Sequence, residues 1–249
     1  MVDPFSLCDR TILVTGASSG IGAAVSHEAA KFGATIVATG RNKERLENVK
    51  SSLSGNNHST IIADLSTEIG VDELVSECPV IDGLVCNAGI TKTLPVQFIT
   101  SEIMESIFSI NTFAPILLFK KLLKSKKISS GASVVFTSSM TGVSSVMVGN
   151  SLYSASKGAV SAFVRNAALE LAGRKIRVNA VCPGMVDTDI LENNSMISKT
   201  QLDADMKNYP LGRYGKPEDI AYAIVYLLSS ASSWMTGNNL LIDGGYSLK

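Results

Sequence analysis

A tyrosine and a lysine four positions apart carry the clearest chemical signal in this sequence. Tyr153 and Lys157 lie in a helical pattern, so their side chains should project from one helix face. An isolated phenol has a pKa of about 10 and is a poor base at neutral pH, whereas a nearby ammonium group or an oxidised nicotinamide ring favours the phenolate. We therefore interpret Tyr153 as the group that gives or takes an alcohol proton while hydride moves to or from a cofactor. Because Tyr-x-x-x-Lys is common by chance, this interpretation needs companion residues.

A serine that follows an apolar strand is the first companion. Ser139 lies where the carboxyl edge of an open sheet places its ligands. Its hydroxyl would hydrogen-bond the substrate carbonyl oxygen beside Tyr153. Ser138 is a close rival for this role, and Ser144 and Ser145 are weaker ones.

An asparagine inside a predicted helix is the second companion. Asn is a poor residue for a helix interior, and Pro115 lies four positions after Asn111. Because proline has no N–H, the carbonyl of Asn111 loses its helical partner, and we expect a kink there. The free carbonyl would hold a water that relays protons to Lys157. Alternatively, Pro115 only bends the helix around the core.

The first strand runs directly into a glycine-rich turn at residues 15–22 with the spacing Gly-x-x-x-Gly-x-Gly. Glycine permits a tight turn and close approach of a phosphate, and the following helix offers free N–H groups to an anion. Gly22 would also let that helix pack closely on the sheet. The cofactor contacts expected here are Gly16, Ser18, Ser19, Gly20, Ile21 and Gly22.

The end of the second strand indicates the type of cofactor. An acid here would bind the adenosine ribose and repel a 2′-phosphate, but the sequence has Arg41, whose guanidinium suits a phosphate. This favours NADP(H) over NAD(H); the alternative is that Arg41 only caps a loop. After the third strand, Asp64 would accept from the adenine amino group, with Leu65 beside it; many such acids simply cap the next helix.

Small residues at two further strand ends complete the set of expected cofactor contacts. Small residues after the fourth strand would let the backbone pass close to a ribose or an adenine, and the residues after the sixth strand would bond the nicotinamide carboxamide and the phosphates. The residues are Asn87, Ala88 and Gly89 after the fourth strand, and Pro183, Gly184, Val186 and Thr188 after the sixth.

The elements that must position these residues alternate between short β-branched runs and longer helical patterns. The predicted strands are Thr11–Thr15, Thr35–Thr39, Ser59–Ala63, Gly83–Cys86, Ser133–Thr137, Arg177–Val181 and Asn239–Ile242. The predicted helices are Ile21–Phe32, Lys43–Leu53, Gly70–Glu77, Glu102–Lys127, Leu152–Ala172 and Glu218–Leu228. This rhythm predicts one α/β domain over 1–249, a Rossmann-type doubly wound parallel sheet of about seven strands with helices on both faces. The long polar stretch 187–210 is either a substrate lid or a surface connection.

Composition argues against several other classes of protein. The 22 basic and 22 acidic residues give a formal charge of zero, so the basic excess of nucleic-acid-binding proteins is missing. The start of the chain has no apolar run of signal-peptide length, and the strongest later run, 113–119, is too short to span a bilayer. We therefore expect a cytoplasmic protein without a membrane partner. The four scattered cysteines are expected to be buried thiols, and two isolated histidines give no metal site.

Taken together, these motifs resemble the short-chain dehydrogenase/reductase family over essentially the whole chain. The matching motifs are Thr-Gly-x-x-x-Gly-x-Gly at 15–22, Asn-Ala-Gly at 87–89, Asn111, Ser139, Tyr153-x-x-x-Lys157 and Pro183-Gly184. The resemblance implies a nicotinamide cofactor, a catalytic tetrad of Asn111, Ser139, Tyr153 and Lys157, and a homotetramer or homodimer built through the two long helices and the C-terminal strand. The sequence looks most similar to the 3-oxoacyl-(acyl-carrier-protein) reductases, except that the stretch from Ser139 to Tyr153 is one residue longer than is usual in them.

The expected activity is the NADP(H)-dependent interconversion of a ketone and a secondary alcohol. An acyl-carrier-linked substrate would need a basic docking surface, for which Lys124, Lys126, Lys127, Arg174 and Lys175 are available. Free small alcohols, sugars and steroids remain alternatives, as do an isomerase or dehydratase on the same fold and a cofactor-binding protein without turnover. The last alternative is disfavoured because such proteins usually lack the tyrosine or the lysine.

Overall fold

Seven short apolar runs form one parallel sheet in the part of the chain that the computed structural model describes, residues 3–188 and 204–248. The strands are Thr11–Thr15 (β1), Thr35–Gly40 (β2), Ser59–Ile62 (β3), Ile81–Cys86 (β4), Ile128–Thr137 (β5), Arg177–Pro183 (β6) and Asn239–Ile242 (β7). Their order is β3-β2-β1-β4-β5-β6-β7, and all neighbours are parallel. The chain reverses its winding direction between β1 and β4, which is where open α/β sheets bind ligands.

Helices cover both faces of the sheet, because nearly continuous apolar strands must be buried on both sides. The helices are Gly20–Lys31 (α1), Lys43–Ser52 (α2), Glu68–Glu77 (α3), Ser101–Phe108 (α4), Ala114–Lys124 (α5), Ser151–Leu171 (α6) and Pro217–Leu228 (α7). One core contains Leu74 of α3, Leu118 of α5 and Val164 of α6. The other contains Val25 of α1 and Ile224 of α7. The predicted doubly wound fold is therefore confirmed.

Two predicted boundaries are wrong by several residues, both around β5. This strand begins at Ile128 and not at Ser133, because Ile128 already pairs with Ile81 before the register shifts. Gly131 has a φ of +79° at this irregularity. The helix expected to reach Lys127 ends at Lys124, since Lys126 adopts a left-handed conformation with a φ of +56°.

The predicted helix over 102–127 is interrupted. Residues Ser109–Phe113 form a π-helical segment between α4 and α5, and Pro115 lies in the first turn of α5. The expected interruption near Asn111 is thus present as a π segment, a form often seen at functional sites.

The helical stretch Ser101–Lys124, made of α4, the π segment and α5, corrects one expectation from the sequence. Its 24 residues, with a mean hydropathy of 1.3, are long and apolar enough to cross a membrane by length and composition. The apolar run 113–119 is much shorter than this stretch, because polar residues such as Asn111 come before it. Leu118 and Phe119 of this stretch are buried in the core against β5. A helix that packs in a protein core can have the same length and hydropathy as one that crosses a membrane.

Three of the four cysteines are buried, as the sequence predicts. Cys78, Cys86 and Cys182 are buried free thiols as expected, but Cys8 is exposed because it lies in a turn before β1. Most of the predicted lid, residues 189–203, lies outside the described residues. The predicted start of the last helix is confirmed, since Pro217 follows the N-cap residue and the Asp219 carboxylate accepts the backbone N–H of Lys216.

Candidate active site

A pocket of about 460 Å³ opens at the carboxyl ends of the strands and brings most of the predicted residues together. Those that line it are Gly16, Ser18, Ser19, Gly20, Ile21, Arg41, Asp64, Leu65, Asn87, Ala88, Gly89, Ser139, Tyr153, Lys157, Pro183, Gly184, Val186 and Thr188. Only Gly22 and Asn111 of the predicted set do not line it.

Tyr153 and Lys157 lie in the first two turns of α6 and share the face that looks into the pocket. The Lys157 ammonium lies 5.9 Å from the centroid of the Tyr153 ring. It donates a hydrogen bond of 2.8 Å to the carbonyl of Thr137, the last residue of β5. The lysine is only 4% exposed. The end of β5 thus fixes a buried cation beside the phenol.

Burial shifts the pKa values of this pair in opposite directions. It raises the pKa of Tyr153 to about 12, and hydrogen bonding to Ser139 only partly opposes the shift. It lowers the pKa of Lys157 to about 8, with smaller opposing contributions from Cys86 and Cys182. The expectation that the ammonium favours the phenolate stays a prediction, because burial of the phenol is the largest influence on Tyr153 in the chain alone and acts in the opposite direction.

Of the candidate serines, Ser139 is the one whose hydroxyl interacts with Tyr153. It is the second residue after β5, and its hydroxyl lies 3.1 Å from that of Thr141. Ser138 also reaches the pocket, but its hydroxyl is engaged with the Lys157 carbonyl at 2.9 Å and with the Ser161 hydroxyl at 2.7 Å. Ser144 and Ser145 do not line the pocket.

Asn111 is buried behind the pocket and its side chain is fully engaged. Its Oδ1 accepts the N–H of Ile90 at 2.8 Å, and its Nδ2 donates to the Ile90 carbonyl at 2.9 Å and to the Ser156 hydroxyl at 3.1 Å. The side chain thereby ties the loop after β4 to α6. A Cβ on Gly89 would lie 3.2 Å from Asn111 Oδ1 and 3.3 Å from Lys157 Nζ, so only glycine fits easily there.

The glycine turn has the geometry of a phosphate-binding loop. Gly16 and Gly20 have φ values of +64° and +52°, which favour glycine. The N-cap residue of α1, Ser19, makes no side-chain cap, so the first N–H groups of this helix remain available at the pocket. A Cβ on Gly22 would lie 2.2 Å from the Gly16 carbonyl oxygen. Gly22 therefore permits the close packing of turn and helix that the sequence predicted, and it does not line the pocket, so its contact with a cofactor stays a prediction.

Thr15 connects this turn to the loop after β4. Its hydroxyl donates to the Val85 carbonyl and accepts the N–H groups of Asn87 and Ala88, at 2.9 and 3.1 Å. The two loops on either side of the sheet's switch point are therefore held at a fixed spacing.

Arg41 and Asp64 line the opposite end of the pocket from Tyr153. Neither caps a helix, since Asn42 caps α2 and Thr67 caps α3. Asp64 accepts the N–H and the hydroxyl of Ser66 at 3.0 and 2.8 Å. These hydrogen bonds lower the pKa of the Asp64 carboxyl, and the charge of Arg41 adds to the effect.

Sequence reasoning missed most of the residues around the Tyr153 end of the pocket, because they lie in loops or short helical turns without a motif. They are Ile90, Thr91, Thr93, Ile110, Met140, Thr141, Asn150 and Met185. Met147 also lines this end, and its neighbours Val146 and Val148 are 89% and 93% exposed. The N–H of Leu94 donates to the Gly149 carbonyl at 2.7 Å, which joins the two loops that form this rim.

The pocket fits the nicotinamide cofactor that this fold implies. Its positive-φ glycines, uncapped helix N-terminus and Arg41 suit the phosphates, and the other end presents Ser139, Tyr153 and Lys157.

Comparison with known proteins places the chain in a family. Residues 16–247 match the family described as enoyl-(acyl carrier protein) reductase. The chain is 33% identical over 239 residues to the 3-oxoacyl-(acyl-carrier-protein) reductase FabG of Rickettsia felis, covering 96% of this chain and 97% of that protein. It is 36% identical to glucose 1-dehydrogenase of Gluconobacter oxydans, over 96% and 92% of the two chains. Among solved structures it is similar to the Pseudomonas aeruginosa RhlG/NADP active-site complex, with a TM-score of 0.90, 30% identity and coverage of 99% and 100%. The chain belongs to the short-chain dehydrogenase/reductase family and is an NAD(P)-dependent oxidoreductase.

Proposed function

We propose that this enzyme uses NADP(H) to interconvert a ketone and a secondary alcohol, with Tyr153 as the general acid and base. The observation that carries the proposal is the buried Lys157 ammonium, held by the Thr137 carbonyl at 2.8 Å beside the Tyr153 ring and in one pocket with the glycine turn. The nicotinamide would supply or accept the hydride when bound. On this proposal, residues 1–249 form one nucleotide-binding domain with a substrate lid at 187–210.

In the direction of ketone reduction, Tyr153 is the proton donor. With a pKa of about 12, its hydroxyl is protonated at neutral pH and donates to the substrate oxygen as negative charge develops there. Ser139 orients the same oxygen by a second hydrogen bond. Lys157 lies close enough to stabilise the phenolate that remains, and it holds its position through Thr137. The Asn111 backbone carbonyl would hold the water through which Lys157 regains its proton.

We assign the phosphates to the first turn of α1, with Arg41 on the adenosine 2′-phosphate. Arg41 is exposed at the rim of the pocket, where a guanidinium can meet a phosphate with two hydrogen bonds. Asp64 and Leu65 flank the adenine, and residues 87–89 pass the ribose. The loop 183–188 contacts the nicotinamide carboxamide. The RhlG complex with NADP, a similar structure, supports the choice of cofactor.

For the substrate, the apolar rim favours a 3-oxoacyl thioester over a sugar. Val146 and Val148 are almost fully exposed next to Met147, and a polyol would leave them without an apolar partner. The basic surface for an acyl carrier is smaller than the sequence indicated, because Lys127 donates to the carbonyls of Ser76 and Cys78. A sugar alcohol is the second candidate, supported by the similarity to glucose 1-dehydrogenase.

We further propose a cytoplasmic homotetramer. Apolar side chains are exposed on the long helices, with Met104 at 46%, Phe113 at 53% and Leu169 at 81%, and Trp234 near β7 is fully exposed. Burial of these side chains against further copies of the chain would remove them from water. Sedimentation analysis tests the proposal, and a monomer at micromolar concentration would contradict it.

Tyr153→Phe tests the catalytic role. The variant keeps the ring but has no proton to give, so we expect turnover of acetoacetyl thioesters with NADPH to fall by about 10²- to 10⁴-fold. NADPH binding, followed by its fluorescence, should stay within about twofold of the wild type. Full activity in this variant would refute the proton-transfer role.

A further inference from the structure

The loop at residues 183–186, here called the cofactor loop, is held from outside by residues 209–215, here called the strap. All four residues of the cofactor loop line the pocket. The N–H of Met185 donates to the Tyr209 hydroxyl at 3.0 Å, and its carbonyl accepts the N–H of Gly215 at 2.9 Å. Gly215 also accepts the N–H of Asp187 at 2.8 Å. The strap therefore engages both polar groups of the Met185 peptide backbone.

Among the described hydrogen bonds between the strap and the cofactor loop, the one at Tyr209 is made by a side chain. Tyr209 is 3% exposed, and its ring packs edge-on against Tyr214 at 5.3 Å and tilted against Tyr246 at 4.9 Å. A Cβ on Gly184 would lie 3.3 Å from its Cε1, so the ring also lies directly on the cofactor loop. Burial raises the pKa of Tyr209 to about 12, which keeps the hydroxyl neutral over the working pH range.

The hydroxyl determines where the Met185 N–H points. The preceding N–H, that of Gly184, is used by the Ile242 carbonyl at 2.9 Å, as in a continuation of the β6–β7 ladder. Beyond that point the sheet offers no further partner, because β7 ends at Ile242. The Tyr209 hydroxyl takes over for Met185 and turns its N–H away from the pocket. An unsatisfied N–H here would favour rearrangement of the loop.

We infer that Tyr209 is a positioning residue that sets the shape of the cofactor loop and thereby the affinity for the nicotinamide half of the cofactor. The inference rests on the proposed function, which assigns this loop to the nicotinamide side. The inference concerns the nicotinamide half alone. The proposed function assigns the adenosine half to Arg41, which also lines the pocket.

The test compares Tyr209→Phe with Tyr214→Phe as a matched control. Tyr214 belongs to the same aromatic cluster and is also buried, but its hydroxyl donates to Asp205 at 3.0 Å and makes no bond to the cofactor loop. Both variants lose one buried hydroxyl from the cluster. A purely structural role of Tyr209 would therefore give the two variants similar binding properties.

Two probes separate the halves of the cofactor: NADPH, and adenosine 2′,5′-bisphosphate, which has no nicotinamide. We expect Tyr209→Phe to raise the Kd for NADPH about tenfold, equivalent to ~1.4 kcal/mol, and to leave the Kd for the bisphosphate within about twofold. Tyr214→Phe should leave both within about twofold. An unchanged NADPH Kd in Tyr209→Phe, or equal weakening of both probes, would overturn the inference while the proposed function stands. A wild-type chain that binds neither probe would overturn both.

A measurement on the wild type alone covers the case in which Tyr209→Phe does not fold. Amide hydrogen exchange at Met185 should be about a hundredfold slower than at an exposed amide, because its N–H is bonded to a buried hydroxyl. Exchange as fast as that of an exposed amide would overturn the inference.

Discussion

Lys157→Met should make the protein more stable while abolishing its turnover. Burial lowers the pKa of Lys157 from 10.5 to about 8 in the folded chain. At ~1.36 kcal/mol per pKa unit, the charged lysine costs the folded state about 3 kcal/mol. Methionine has a similar length and no charge. The variant lacks the hydrogen bond to the Thr137 carbonyl, and this loss offsets about 1 kcal/mol of the gain in stability. We expect a net gain of about 2 kcal/mol in the free energy of unfolding at pH 7.

The sign of the pH dependence follows from the same shift. The unfolded chain holds the Lys157 proton up to about pH 10.5, whereas the folded chain releases it near pH 8. Below pH 8 both states are protonated and the wild type bears the full cost. Between about pH 8 and 10.5 the unfolded state binds more protons, so the stability of the wild type rises and the advantage of Lys157→Met shrinks.

Thermal unfolding of the chain without cofactor measures the effect. A gain of about 2 kcal/mol corresponds to a rise in Tm of about 4–8 °C for a domain of this size at pH 7. Lys120→Met is the control, because Lys120 is exposed on α5 and its replacement should change the stability by less than about 0.5 kcal/mol. A Tm of Lys157→Met at or below that of the wild type at pH 7 would show that the site compensates the buried charge, and the reasoning would fail.

Three further substitutions test other parts of the site. Arg41→Ala should weaken NADPH binding by about ten- to a hundredfold and NADH binding by less than about threefold, since only NADPH carries the 2′-phosphate; equal losses in fluorescence titrations would discard the phosphate assignment. Gly22→Ala should destabilise the fold by about 3 kcal/mol or more, because its Cβ would meet the Gly16 carbonyl oxygen at 2.2 Å, whereas Gly173→Ala, with no atom within 4 Å of the new Cβ, serves as a neutral control in urea unfolding. Asn111→Leu should cost about 2–5 kcal/mol in the same assay, because three buried hydrogen bonds are lost; a change below about 0.5 kcal/mol would contradict the role of this side chain in tying the loop to α6.

Local pattern was sufficient to predict the fold, because each strand is a short apolar run and each turn into a helix carries small or capping residues. The errors lie where tertiary pairing overrides local preference. Ser129 and Gly131 look like loop residues, yet Ile128 joins the sheet because Ile81 lies opposite it. The π segment at Ser109–Phe113 also shows the limit of pattern reasoning: Pro115 predicted an interruption, but not its form.

In the site, residue types and spacing predicted which side chains would converge, but not their electrostatics. Tyr153 and Lys157 share a helix face because they are four residues apart, a property of any helix. The direction in which the pKa of Tyr153 shifts depends on how deeply the phenol is buried. That burial depends in turn on the packing of β5 and of the loops around it. In the same way, nothing in the sequence around Ser138 and Ser139 shows that Ser161 engages the first and leaves the second directed at Tyr153.

The opposite pKa shifts fit the two roles proposed for Tyr153 and Lys157. A phenol with a pKa of about 12 keeps its proton at neutral pH and is a poor base there. An ammonium with a pKa of about 8 loses its proton more easily than that of an ordinary lysine. In the chain alone at pH 7, the phenol is neutral and the lysine keeps its proton, so a neutral Tyr153 lies beside the Lys157 cation. A bound cofactor and substrate would replace water around the phenol and add the positive charge of an oxidised nicotinamide, which favours the phenolate. On the proposed mechanism, the phenolate therefore forms only with the ligands in place, and burial keeps the Tyr153 hydroxyl protonated for ketone reduction until then.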